Sequence, residues 1–501
     1  MLLLVLLGLS GLILLPGLLS GPSLDASVFV SVTGRMLDGA TLYVDAWDHK
    51  PPGIFLIEAG SRLAFGWLGA WPSAWLVTVA STALTGWLVA VVAGRIGVGR
   101  LAQWVAGAGV VLASAQPLIS AGGGMTEPPA TALAVVALTL ATGRIRAVTL
   151  LAIGALLAAS VLTSFLLLPA VVAVGGLVLA RGGRLGAVAG LALGAGLALA
   201  AVVGWLALTG ALPAAWDALV VYNAAYRDAN AVLGFALSRA VIGWTLLLTL
   251  FVIPPAALGV MAGLREGGLR GALAAACVAW IVVELVLVML QGRVFAHYAV
   301  AVLAPAAVLA ALGLNRLAQR WRASAGPNRR VRRGMVAAPL IAAALASLAG
   351  MAAKGTAGTE LGVAPVRLAR IDAVREAVEQ LAGADAAVLV WGNEPRLYLA
   401  LDRPIAVRYP YFFPLTTPGY TSAALVDETL DQLRASPPRV IVDAGSPSPG
   451  APGFLPLLID RPLAATGRDA DLLDPIRAFV ATRYHLVEVV DGWPVYVLND
   501  A

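Results

Sequence analysis

The residues able to do chemistry gather in a few short stretches. In "YVDAWDHKPPGIF", residues 43–55, Tyr43, Asp45, Asp48, His49 and Lys50 stand before a double proline, in a half-chain that is otherwise nearly charge-free. Upstream, Asp25 follows an apolar N-terminal run in "SGPSLDASVFV", with Arg35 and Asp38 behind it. Further on, "SAGGGMTEPPA" carries Glu127, "WDALVVYNAAYRDAN" follows at 216–230, and "QGRVFAHYAV" brings His297 and Tyr298.

Each has two readings. A carboxylate at a membrane boundary is partly dehydrated, which suits Asp25 to act as a base. Asp ahead of an apolar-periodic run is equally a common helix cap. Glu127 reads as a second carboxylate of the same site, or as a first-turn acid favoured by the helix dipole. Lys50 has a backbone stiffened by Pro51 and Pro52. A fixed ammonium there suits a lipid phosphate, and the alternative is interfacial snorkelling. His297 and Tyr298, as an isolated pair at the start of a span, read as interfacial anchors.

The elements that must position these groups are transmembrane helices. The chain has 501 residues, 60% hydrophobic and 12% charged, against about 25% charged in a soluble domain. Apolar runs long enough to cross a hydrocarbon core recur to about residue 353. The class is a polytopic α-helical membrane protein, so the net charge of +6 reflects topology rather than nucleic-acid binding. Residues 2–19 read as the first span rather than a cleaved leader. Cys277 sits inside an apolar run and offers neither disulfide nor metal cluster.

Parity orders the spans. Basic loops occur at 95–100, 143–146, 181–184, 265–270 and 316–333, whereas the alternate loops near 119–126, 163, 210–238 and 291–297 hold only Arg227 and Arg293. All basic loops fall on one side, the cytoplasmic one, if about 11 spans run at 2–19, 73–94, 101–118, 127–142, 147–162, 164–180, 186–209, 239–263, 271–290, 298–314 and 335–353. The stretch 52–70, with Glu58 and Arg62, must then lie at the membrane surface or re-enter it. Residues 20–72 become one extracytoplasmic segment with juxtamembrane helices, within a transmembrane domain of residues 1–353.

After residue 354 the composition turns soluble. Residues 366–382 have helical spacing, "AAVLVWG" and "PRVIVDAG" read as buried strands, and "YHLVEVVDGWPVYVLN" reads as a hairpin turning at Asp491-Gly492. A small extracytoplasmic α/β domain over 354–501 follows. No G-x-x-x-x-G-K-[ST], H-E-x-x-H or Cys cluster is present, so no motif supports a nucleotide motor or a divalent metal. "GAGLALAAVVG" at 194–204 indicates close helix packing. Glu284, an intramembrane acid, is functional or internally paired.

"LDASVFVSVTGRMLDGATLYVDAWDHKPPGIF" resembles the first outer loop of GT-C membrane glycosyltransferases of the bacterial family 39 type, related to protein O-mannosyltransferases and lipid A aminoarabinose transferases. The shared pattern is an acid after the first span, an amphipathic helix, then Tyr-x-Asp-x-x-x-x-Lys-Pro-Pro. "TEPPATAL" resembles the family's second acidic site, "AHYAVAVLAPAAVLAALG" its late His-Tyr/Pro span, and "VWGNEPRLYLALDRPIAVRYPY" the tail domain of bacterial members. The resemblance implies a polyprenyl-phosphate-sugar donor, a cell-envelope acceptor (lipid, glycan or protein) and no nucleotide. It implies Asp25 as the base, or as the residue that orients the acceptor hydroxyl, Glu127 as its assistant, and Lys50, with His49 or Arg35, holding the donor phosphate. Tyr43, Asp45, Asp48, His297 and Tyr298 join as substrate-binding candidates. Two departures stand out: Ala26 follows Asp25 where many relatives carry a second acid, and "LTSFLLLP" stands where some carry a basic residue. A transporter or lipid flippase is the alternative, although no internal repeat supports it. A non-enzymatic scaffold would leave the acidic loop unexplained.

Overall fold

The computed structural model describes residues 1–182, 185–228, 253–290, 295–323, 360–383, 385–445 and 471–499. The expected span 335–353, most of the span 239–263, the end of the basic block 316–333, Arg293 and the distal part of the loop 210–238 lie outside the described residues.

The membrane part is helical: α1 (Leu2–Ser20), α2 (Leu24–Leu37), α3 (Gly53–Phe65), α4 (Ala70–Arg95), α5 (Arg100–Ser114), α6 (Pro117–Ser120), α7 (Glu127–Ala141), α8 (Ala147–Thr163), α9 (Leu168–Ala180), α10 (Leu185–Leu208), α11 (Leu212–Trp216), α12 (Asn223–Asp228), α13 (Ile253–Glu266), α14 (Gly268–Leu290) and α15 (Val300–Ala323). Among the described residues, five helical stretches are long and apolar enough to cross a membrane: Leu2–Ser20, Ala70–Arg95, Leu185–Leu208, Gly268–Leu290 and Ala296–Arg320. They coincide with five of the expected spans. The expected spans at 101–118, 127–142, 147–162 and 164–180 fall on shorter helices.

The arginine loops meet at one end of this bundle. Arg95 Nη1 donates to Thr142 Oγ1 at 3.2 Å, Arg181 Nη1 to the Gly143 carbonyl at 2.8 Å, and Arg270 Nε to the Ile96 carbonyl at 2.7 Å. At the opposite end, Trp71 at the start of α4 donates its indole N–H to the Leu18 carbonyl near the end of α1, 3.2 Å away. The end of α1 and the start of α4 therefore lie side by side, and α2 and α3 do not carry the chain through the bundle. With 13 residues, α3 spans roughly 20 Å, short of a hydrocarbon core of about 30 Å. Its two charged side chains are spent on α2: Thr33 Oγ1 donates to Glu58 Oε2 at 3.3 Å, and Arg62 Nη1 donates to the Val30 carbonyl at 3.3 Å. Burial pushes the Glu58 carboxyl up to about 8, against the Thr33 hydrogen bond and the Arg62 charge.

Small residues let α8 and α10 cross closely. A Cβ on Gly154 would stand 2.1 Å from the Leu191 carbonyl oxygen, and one on Gly194 would stand 2.1 Å from that of Leu151. Close packing of this kind replaces the hydrophobic drive that helices lack inside lipid. Gly194→Val is expected to destabilise the protein by ~1–3 kcal/mol or more through overpacking, read as a lower melting temperature in detergent. Gly196→Val, where a Cβ meets nothing within 4 Å, serves as the control, and equal behaviour of the two variants would refute the crossing.

The C-terminal part forms a four-stranded sheet in the order β1-β2-β4-β3, from β1 (Val388–Gly392), β2 (Val440–Ala444), β3 (Tyr484–Val490) and β4 (Trp493–Leu498). β1 and β2 are parallel, while β4 runs antiparallel to both β2 and β3. The turn between β3 and β4 has Asp491 at φ 47° and Gly492 at φ 87°, as a two-residue hairpin requires. The expected helix starts earlier, as α16 (Glu360–Leu381), and shares one sheet face with α17 (Arg396–Leu401); α18 (Ala423–Ala435) and α19 (Asp474–Arg483) pack on the other.

Both sheet faces are covered, so β1 and β2 read as continuous apolar runs. Val388 and Val390 pack on α16 and α17. Leu389, Trp391 and Ile441 face the other way, into a buried cluster shared with Phe29 of α2, with Trp47 and with Tyr222. Trp47 sits edge-on to Tyr222, Tyr409 and Tyr411 at ring-centroid distances of 4.9, 5.4 and 5.9 Å. Truncating a buried ring of this size costs ~3–5 kcal/mol. The C-terminal sheet is thus bolted onto the charged loop.

Candidate active site

The loop from Thr41 to Pro52 is built by its own side chains. Asp45 Oδ2 accepts from the Thr41 N–H at 2.8 Å. Tyr43 takes a left-handed backbone at φ 68°, costly for a bulky residue. Offsetting that, its N–H donates to the Ala46 carbonyl at 2.8 Å and its hydroxyl donates to the Lys50 carbonyl at 2.8 Å. The Lys50 N–H donates to Asp48 Oδ1 at 2.7 Å. Asn223 Nδ2 donates to the His49 carbonyl at 3.0 Å, and His49 Nδ1 pairs with the Tyr411 hydroxyl at 2.9 Å. Past Pro51 and Pro52, α3 begins at Gly53, where a Cβ would stand 2.5 Å from Thr163 Oγ1. The Lys-Pro-Pro-Gly run therefore presses the loop onto the end of α8 and holds the Lys50 backbone at both its N–H and its carbonyl.

Asp25 is not a helix cap. Ser23, in an extended conformation, is the N-cap of α2, its Oγ accepting from the Ala26 N–H at 3.2 Å. Asp25 lies one step inside the first turn, exposed, and its carboxylate has no hydrogen-bond or ion-pair partner among the described residues. Glu127 does open α7, as a first-turn acid. Thr126 Oγ1 donates to its Oε1 at 2.9 Å, while Oε2 is buried without a hydrogen-bond partner among the described residues. His297, 9% exposed, stacks parallel on Phe295 at 5.4 Å and meets Tyr298 edge-on at 4.8 Å.

These groups line two adjoining cavities of about 200 and 210 Å³ that share His49, Lys50, Tyr226 and Tyr298. Asp25, Asp48 and His297 belong to the first; Glu127, Asn223 and Arg227 belong to the second. Seven of the expected residues are thus brought together: Asp25, Asp48, His49, Lys50, Glu127, His297 and Tyr298. Three are not. Tyr43 is fully buried and Asp45 closes a turn, so both build the loop. Arg35 donates from Nη1 to the Val407 carbonyl at 2.9 Å and lines a separate cavity of about 750 Å³ with Asp38 and Arg62.

The charges in the paired cavities set one another. Burial by itself would lower the Lys50 pKa, but Tyr298, Glu127, Asp25 and Asp48 outweigh it and raise it above the ordinary lysine value. Lys50 is therefore a permanent cation. Burial pushes the Asp48 carboxyl up to about 7, against the Lys50 charge and the hydrogen bonds from the Lys50 and His49 N–H groups, with Asp25 adding to the rise. The folded state then holds a proton that the unfolded chain releases near pH 4. Asp48's contribution to stability accordingly falls as pH rises from about 4 to about 7, by up to ~1.4 kcal/mol per unit, and is flat above. Asp48→Asn should flatten that part of the melting-temperature profile; an unchanged slope would mean that Asp48 is ionised throughout.

Sequence reasoning did not single out Tyr226, Asn223, Arg227, Asn393, Tyr411 or Phe413, all of which line the cavities. The signal for Asn393 was its place just past the carboxyl end of a parallel strand, where open α/β sheets present ligand-binding groups. Among the described residues no group of three or more His, Cys, Asp or Glu side chains is placed to hold a metal ion.

No family model matches the chain, and no curated protein matches it in sequence. Solved structures do. ArnT from Cupriavidus metallidurans in the apo state superposes with a TM-score of 0.60, at 16% identity over 97% of this chain and 96% of that one. The same protein bound to undecaprenyl phosphate gives 0.62, at 16% identity over 97% of both chains. AglB, an archaeal oligosaccharyltransferase from Archaeoglobus fulgidus solved with an inhibitory peptide and a dolichol-phosphate, gives 0.48, at 11% identity over 89% of this chain and 69% of that one. The likeness to ArnT is one of fold and runs nearly end to end. The chain shares the fold of ArnT, and its described residues hold five helices long and apolar enough to cross a membrane.

Proposed function

We propose that this protein is a membrane glycosyltransferase that moves a sugar from a polyprenyl-phosphate-linked donor to a cell-envelope acceptor at the extracytoplasmic face. The observation that carries this reading is Lys50, a cation held at the junction of two cavities, with Asp25 lining one and Glu127 the other. A lysine so placed matches a phosphate leaving group, and ArnT, whose fold this chain shares, is solved with undecaprenyl phosphate bound.

In this reading the acceptor hydroxyl attacks the anomeric carbon of the donor sugar. The bond from that carbon to the phosphate oxygen breaks, and the phosphate leaves with the electron pair, stabilised by the Lys50 ammonium. The hydroxyl proton goes to the Asp25 carboxylate, which has no hydrogen-bond partner among the described residues. Glu127, with one buried oxygen unpaired, accepts a hydrogen bond from substrate in the adjoining cavity. Tyr43, Asp45 and Asp48 hold the loop that presents Lys50. The basic loops, gathered at the far end of the bundle, orient the N-terminus to the cytoplasm. The C-terminal domain of residues 354–501 then stands outside, beside the transmembrane domain of residues 1–353.

The test uses the purified full chain in nanodiscs with polyprenyl-phosphate-[14C]sugar. Cleavage of the glycosyl–phosphate bond, with release of water-soluble or acceptor-bound label, is expected. A flippase would move the labelled lipid and leave that bond intact, and this result would overturn the proposal.

A further inference from the structure

Asp25 does not line its cavity with the rest of the membrane domain alone. The C-terminal part supplies Asn393, Tyr411 and Phe413 to the same cavity. Their placement is built in. β1 ends at Gly392, whose φ of 111° is open to glycine and where a Cβ would stand 2.9 Å from the Ala444 carbonyl oxygen. The chain can therefore turn sharply off the strand and deliver Asn393 to the cavity. The Phe412 N–H donates to the Gly392 carbonyl at 3.1 Å, and the Phe412 ring stacks on Trp391 at 4.4 Å. These contacts fix the adjoining Tyr411 and Phe413, whose rings meet edge-on at 5.6 Å. Tyr411 is tied across the cavity to His49. The Asn393 amide has no hydrogen-bond partner among the described residues.

We infer that the acceptor of transfer presents a carbohydrate ring, and that Asn393, Tyr411 and Phe413 hold that ring against Asp25. The inference rests on the transferase reading and names its acceptor class. Three properties carry it. Aromatic ring faces pack on the C–H faces of a sugar, since their negative faces favour polarised C–H groups. An amide that both donates and accepts, beside a carboxylate that only accepts, matches a pair of adjacent hydroxyls. The volume of about 200 Å³ is below the roughly 300–1,000 Å³ of drug-sized pockets, the scale of a small ligand such as one monosaccharide ring. A polypeptide acceptor would bring backbone N–H and C=O groups that need partners of their own, and the C-terminal part adds only two aromatic side chains and one amide to this lining.

Saturation-transfer difference NMR on the full chain in nanodiscs tests this, with methyl glycosides of hexoses and pentoses and a Ser/Thr-containing peptide as probes. Undecaprenyl phosphate binding is measured on the same samples. Ring protons of at least one glycoside are expected to receive saturation, and Asn393→Ala and Phe413→Leu are each expected to cut the signal threefold or more. Both variants should bind undecaprenyl phosphate as the wild type does, which also reports that they fold. Lipid binding with no glycoside signal, or with a signal that both variants retain, would overturn the inference and leave the transferase reading standing. A signal from the peptide alone would assign the acceptor to protein. Failure of the wild type to bind undecaprenyl phosphate would remove the reading beneath it.

Discussion

Lys50→Met lowers transfer from a polyprenyl-phosphate donor by about 10²–10³-fold, the usual cost of removing one preorganised charge-stabilising group. The substitution keeps the length and packing of the side chain while deleting the ammonium. Its effect should appear in kcat more than in KM, because the charge on the leaving phosphate grows toward the transition state. The fold is expected to tolerate the change: the loop is held by the Lys50 N–H and carbonyl, both main-chain groups. Loss of the cation leaves Asp25, Asp48 and Glu127 without the positive charge they all face. Asp48 should then become harder still to ionise, moving its titration above about 7. Single-turnover measurement of donor cleavage with saturating acceptor reads the first effect. A variant that cleaves donor at the wild-type rate would show that Lys50 is an interfacial anchor and nothing more.

Asp25→Asn is expected to reduce kcat by about 10²–10⁴-fold, the range for loss of a general base, with donor binding unchanged. The argument is positional. Ser23 already caps α2, so Asp25 is released from the structural duty its place in the sequence suggested. Asparagine keeps the size and one acceptor oxygen, so the melting temperature should move little. The decisive comparison is single-turnover transfer by the two proteins at equal donor occupancy. A variant that retains full activity would remove Asp25 from the chemistry.

Much of this site was legible because polar residues are rare in an apolar chain. Lys50, Asp25, Glu127 and the His297–Tyr298 pair stood out against long runs of Leu, Ala and Val, and all five come to the paired cavities. Arg35 stood out in the same way and is turned elsewhere. Ten residues beyond Asp25 on α2, it stands ~15 Å farther along the helix and is held by the Val407 carbonyl. Asn393 was invisible for the opposite reason. In a soluble-like domain an asparagine after a strand is ordinary, and its value depends on where Gly392 turns the chain.

The sequence by itself determined the class and the local elements. Apolar run length required transmembrane helices, the alternation of basic loops ordered their ends, and the Asp491-Gly492 dipeptide set the hairpin, because these signals depend on near neighbours in the chain. Only the tertiary structure decided which polar groups meet. Whether Ser23 or Asp25 caps α2 turned on a difference in backbone conformation. The junction at Lys50 needed the start of α7, the turn before α15, the charged loop and the C-terminal part to meet at one pair of cavities, with the loop and the sheet joined through a shared buried cluster. Contacts between residues hundreds of positions apart follow from packing, which local periodicity does not encode.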